Sequence, residues 1–233
     1  MSMGRAHILA ALAALVLSTG MAAAANLTVV EARGIALAPG STVDSTKPLV
    51  LKQGQHVTLI SDDGATLSID GPYNAPPTAG TGGKSLGATL AALGTERNAR
   101  TGEAGVTRGA APNKLPEPWL FDVTHSANVC LQENTQPVFW RPDAKTATTL
   151  TVMPVDRSWK SRADWPSGLD RMHVTTDVPM HGGAAYVVNY AGTDYALAVN
   201  TVPASLANDQ MRAAWMLQKG CESQAEALLR SRK

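Results

Sequence analysis

The chain contains two cysteines, Cys130 and Cys221, and no other feature restricts its fold as much as a bond between them would. Cys130 lies in the alternating run Val129-Cys130-Leu131, which reads as a strand. Cys221, Ala225 and Leu228 recur at i, i+4, i+7 and so share one helix face, the face that has to be buried. A strand thiol and a helix thiol meet if the helix packs on the sheet. Closing a loop of roughly 90 residues in that way contributes about 4 to 5 kcal/mol in the chain-entropy model. The alternative is two buried free thiols of the kind cytosolic proteins carry. Around Cys130, residues 116–142 hold two of the five tryptophans, Trp119 and Trp140, and three short apolar runs separated by turn residues, as a folded β module does.

The N-terminus favours the bonded reading. Arg5 and His7, the apolar run 8–17, Gly20 and the small-residue tract 22–25 have the order of a secretory signal peptide, with cleavage expected near Ala24 or Ala25. That places the mature protein in the periplasm or outside the cell, where disulfides persist. The apolar run is too short to span a bilayer, and no later stretch approaches 18 apolar residues, so no integral membrane segment is expected in the mature chain. The whole chain has 20 basic and 19 acidic residues, and the signal carries only Arg5, which leaves 19 against 19. A neutral chain without a basic stripe is a poor ligand for nucleic acid.

The rest reads as mainly β. Apolar runs at 27–32, 34–37, 49–51, 56–60 and 65–69 are separated by Pro39-Gly40, Gln53-Gly54 and Asp62-Asp63-Gly64, the last a hairpin signal, and describe a small β barrel or sandwich over 26–75. Residues 76–118 have the Gly/Pro-rich composition of a flexible connector, with a short helix expected over 85–97 from Leu86, Leu90 and Leu93. Strands return at 119–124, 127–132, 138–140, 149–153, 171–175, 184–190 and 195–199, which suggests a two-sheet sandwich over 119–203. Residues 204–233 read as two helices, the first capped by Ser205 or Asn208 and broken at Gly220.

Two resemblances follow from these motifs. The string EARGIALAPGSTVDSTKPLVLKQGQHVTLISDDGATLSIDGPY resembles the periplasmic domain of FecR-type iron-dicitrate sensor regulators, in its glycine-led strand and strand-Asp-Gly-strand hairpin. Pro137-Val138-Phe139-Trp140, Trp159 and the Gly-x-x-Tyr strand at Gly183 and Tyr186 resemble an immunoglobulin or fibronectin-III module. The first implies an envelope-associated regulatory role. The second is architectural and implies no activity.

Several motifs do not survive inspection. Thr78 to Ser85 ends like a phosphate-binding loop, but its first glycine is replaced by Thr78 and Pro76-Pro77 precede it instead of a buried strand. His181-Gly182-Gly183-Ala184 resembles an esterase oxyanion loop, yet there is no Gly-x-Ser-x-Gly elbow. Met172-His173 and Met180-His181 are thioether–imidazole pairs suited to copper, although a strand sends adjacent residues to opposite faces. No catalytic residue and no cofactor is expected. In the stretch SWKSRADWPSGLD, read as a long loop, Trp159, Lys160, Arg162 and Trp165 form a candidate interaction surface for a protein partner in the cell envelope, though a tryptophan is more often core. The sequence points to a non-catalytic exported interaction or regulatory module, with periplasmic copper binding as the alternative.

Overall fold

A computed structural model describes residues 26–62, 64–77, 84–85, 113–175 and 178–231. The protein is mainly β with a C-terminal helical tail. The signal-like segment, most of the connector and the helix expected over 85–97 lie outside the described residues, apart from Lys84 and Ser85.

The N-terminal unit is a five-stranded sheet in the order β2 (Thr42–Asp44), β1 (Asn26–Arg33), β4 (His56–Ile60), β5 (Ala65–Asp70), β7 (Lys84–Ser85), with a two-stranded ribbon of β3 (Leu49–Leu51) and β6 (Tyr73–Ala75). Alternation along β1, β3 and β4 sends Leu27, Val29, Leu49, Leu51, Val57 and Leu59 into one core. The β4–β5 hairpin closes through Ser61 N–H to Ala65 O at 2.9 Å, with Gly64 at φ +85°. The strand expected at 34–37 is absent: Gly34 at φ +72° ends β1, and Ile35 and Leu37 reach the core from a loop.

The second unit is a sandwich. One sheet has the order β12 (Ser161–Trp165), β11 (Thr148–Pro154), β14 (Ala185–Tyr190), β15 (Thr193–Val202), β9 (Ala127–Gln132), and the other β13 (Arg171–His173), β10 (Val138–Trp140), β8 (Leu120–Asp122). Two pairings are parallel, β15 with β9 and β10 with β8. Phe121, Phe139, Leu150, Trp165, Tyr186, Val188 and Leu197 pack between the sheets. The β14–β15 turn is Ala191-Gly192, both at positive φ, the geometry that fits strand twist in a two-residue hairpin.

The connector ends before residue 118. Leu115 is buried and its carbonyl accepts from Arg230 Nη2 at 2.7 Å, while Asn113 Nδ2 donates to Asp122 Oδ2 at 2.9 Å. Burial alone would push the Asp122 carboxyl up; contacts from His125, Thr124 and Asn113 outweigh it and hold the carboxyl below its ordinary value. Composition cannot reveal such anchoring, because it comes from partners elsewhere in the chain.

Helix α1 (Asp209–Gln218) is capped by Asn208, whose Oδ1 accepts from Met211 N–H at 2.9 Å, and Gly220 at φ +75° separates it from α2 (Glu222–Arg230). Cys130 and Cys221 are bonded, their Cα atoms 5.9 Å apart. The helices do more than close the sandwich. They form a third core in which Val30 and Ile60 from the first unit meet Cys130 and Val202 from the second. Ser205 Oγ donates to Pro39 O at 2.7 Å, and Lys219 Nζ lies 2.8 Å from Glu31 Oε1. Gly40, at φ +86°, sits so close that a Cβ there would meet Ser205 O at 2.6 Å. The N-terminal sheet is thus docked on the tail as well as tethered through the connector. Among the described residues no helix is long and apolar enough to cross a membrane.

Candidate interaction surface

Residues 161–165, expected in a loop, form β12 and pair with β11 from Thr148↔Trp165 to Val152↔Ser161. The strand is hard to read from sequence because only Trp165 among its five residues is buried, as befits an edge. Its burial corrects the expected surface. Trp165 is 1% exposed, with the Arg141 guanidinium 4.8 Å from its ring and Tyr190 edge-on at 6.2 Å. Trp159 is half-buried, its ring 6.0 Å from Tyr186. Neither tryptophan is an exposed binding platform. Lys160 and Arg162 are exposed as expected.

Arg141 explains how the edge is held. It is completely buried, and its guanidinium donates to Leu169 O at 3.0 Å, Thr146 O at 2.9 Å and Pro166 O at 2.6 Å. One cation thereby ties the loop before β11 to the loop after β12 and stacks on the indole that anchors β12.

What remains at the surface is backbone and charge. Among the described residues no hydrogen bond reaches the outer edge of Ser161–Trp165. The opposite edge of the same sheet is treated differently. Gln224 of α2 accepts from Cys130 N–H at 2.6 Å and donates to Cys130 O at 2.8 Å, so a buried amide imitates a neighbouring strand. The other sheets end in strands of two or three residues at β2, β7, β8 and β13. Arg162 and Asp164, two apart, project from one face of β12, and both are exposed. Thr149 Oγ1 sits 3.4 Å from each, and among the described residues neither has an ion-pair partner. A shallow groove of about 400 Å³ lined by Thr148, Thr149, Asp164, Trp165 and Pro166 runs beside the strand.

The Met/His pairs do not converge as ligand sets. Met172 and Met180 pack into the sandwich core, while His173 and His181 are exposed. Among the described residues no cluster of three or more His, Cys, Asp or Glu side chains is placed to hold a metal. Sequence reading missed one polar cluster: His56 Nδ1 lies 2.7 Å from Asp70 Oδ1, and His56 Nε2 lies 3.1 Å from Thr58 Oγ1 and 3.5 Å from Ser68 Oγ. Its signal was available, since a hairpin about Asp62-Asp63-Gly64 sets His56 opposite Asp70 and Thr58 opposite Ser68. The cluster fixes the imidazole and fastens β4 to β5.

No protein-family model, curated protein or solved structure matches the chain.

Proposed function

We propose that this is an exported, non-catalytic interaction module that acts in the cell envelope through the outer edge of β12. The observation that carries the reading is the contrast between two edges of one sheet: Gln224 pairs with the Cys130 backbone at the outer edge of β9, whereas among the described residues no hydrogen bond reaches the outer edge of β12. An open edge offers main-chain donors and acceptors to an extended segment, and the side chains of Lys160, Arg162 and Asp164 discriminate among segments. The signal-like N-terminus and the disulfide support export. The FecR-like reading of 26–75 rests on its sequence string alone. The immunoglobulin-like reading is supported by Tyr186, whose hydroxyl accepts from His181 N–H at 2.9 Å and lies 3.3 Å from Pro179 O, in the manner of a tyrosine corner. The copper reading draws no support from packing that places both thioethers in the core.

A photoreactive residue at Ala163 of the exported chain tests this. Discrete cross-linked polypeptide products are expected from Ala163 and not from a probe at Lys47, an exposed turn on the N-terminal unit. Products from Lys47 alone would contradict the assignment.

A further inference from the structure

Resting on that reading, we propose that the segment which β12 pairs with is β12 of a second copy of this chain, in an antiparallel two-fold arrangement centred on Ala163. Antiparallel pairing about Ala163 sets residues whose numbers sum to 326 opposite one another, so Arg162 faces the partner's Asp164 and Asp164 faces the partner's Arg162. The strand is therefore self-complementary in charge, as an isologous contact requires. Both side chains lie on one face of the sheet, and neither has an opposite charge within bridging distance among the described residues. Directly opposite pairs in an antiparallel ladder bring Cβ atoms to roughly 4.5–5.5 Å, close enough for two symmetric ion pairs.

The edge also suits a short contact. Lys160 and Pro166 flank it, and proline has no N–H to donate, so the ladder stops after five residues on each side. Ala163 at the centre places no bulk where the two-fold axis passes. A ladder of this size buries much less than the roughly 1,200 Å² of a standard interface, so association is weak and concentration-dependent. Two five-stranded sheets then run on as one.

Sedimentation of the oxidised mature protein over a concentration series tests the proposal, with circular dichroism confirming that each variant is folded. The native chain is expected to approach dimer mass as concentration rises. Arg162→Asp and Asp164→Arg should each weaken association about tenfold or more, because both ion pairs become like-charge contacts. The double variant should recover it, and an equimolar mixture of the two single variants should associate, since each supplies the charge the other lacks. A native chain that stays monomeric throughout, or dimers indifferent to both single substitutions, would overturn the inference. Monomeric protein that still cross-links from Ala163 to a different polypeptide would overturn self-pairing and leave the interaction reading standing, whereas loss of both results removes the two together.

Discussion

Replacing Cys130 and Cys221 together with serine is expected to lower unfolding stability by about 2 to 5 kcal/mol, read as a fall in urea midpoint. Two effects act in the same direction. The bond closes a loop spanning a sequence separation of 91 residues, so the unfolded chain gains conformational freedom when it is removed. Both side chains are also almost wholly buried in the core that the helices share with Val30 and Ile60, and two hydroxyls in their place would need hydrogen-bond partners that an apolar site does not supply. Because that core spans both β units, the loss extends beyond the sandwich and loosens the docking of the N-terminal sheet. Alkylation of the natively purified protein, with and without reductant, provides the companion observation: both thiols should react only after reduction. A loss of unfolding stability under about 1 kcal/mol would show that the tether does little for stability.

The second large effect is expected at Arg141. Arg141→Met should cost about 3 kcal/mol, through loss of a buried cation whose three nitrogens each donate a hydrogen bond. Methionine fills part of the volume but cannot donate to Thr146, Pro166 and Leu169, so the two loops on either side of the β11–β12 pair lose their common anchor. Trp165 loses the cation stacked on its ring and with it much of what fixes β12. Denaturant titration measures the cost, and the near-ultraviolet dichroism of the tryptophans reports the loosened edge. Stability equal to the native protein would mean that the desolvation cost of Arg141 cancels its three hydrogen bonds, and that β12 is held by packing alone.

These two sites also mark where sequence reading succeeds and where it stops. The spacing of Cys221, Ala225 and Leu228 identifies a buried helix face because a helix repeats within a few residues, and the structure buries all three. The bounds of β3, β4, β9 and β10 agree with their apolar runs for the same reason: alternation is local. Arg141 carries no local signal. Its partners lie 5, 25 and 28 residues away in loops, and nothing in Arg-Pro-Asp distinguishes a buried guanidinium from an exposed one. The two parallel pairings are hidden likewise, since Leu197 and Ala127 meet across 70 residues without a turn to announce them. β12 fails for a different cause. An edge strand half open to solvent has little reason to be apolar, so Arg162, Ala163 and Asp164 read as loop although their alternation was present. For Trp159 and Trp165 the sequence left surface and core both open, with core the commoner fate of a tryptophan, because a large aromatic is informative only once its neighbours are known, and Trp165 lies beneath Arg141.

The contrast between the Gln224-paired edge and the open edge of one sheet is most directly tested by amide hydrogen exchange on the oxidised protein. The account predicts that β9, with the Cys130 amide held by Gln224, exchanges near the slow limit set by global unfolding, while the outward-facing amides of Ser161–Trp165 exchange quickly in dilute solution and slow as the protein is concentrated. Outward amides of β12 as protected as those of β9 at every dilution, or a Cys130 amide exchanging as fast as those of β12, would contradict it.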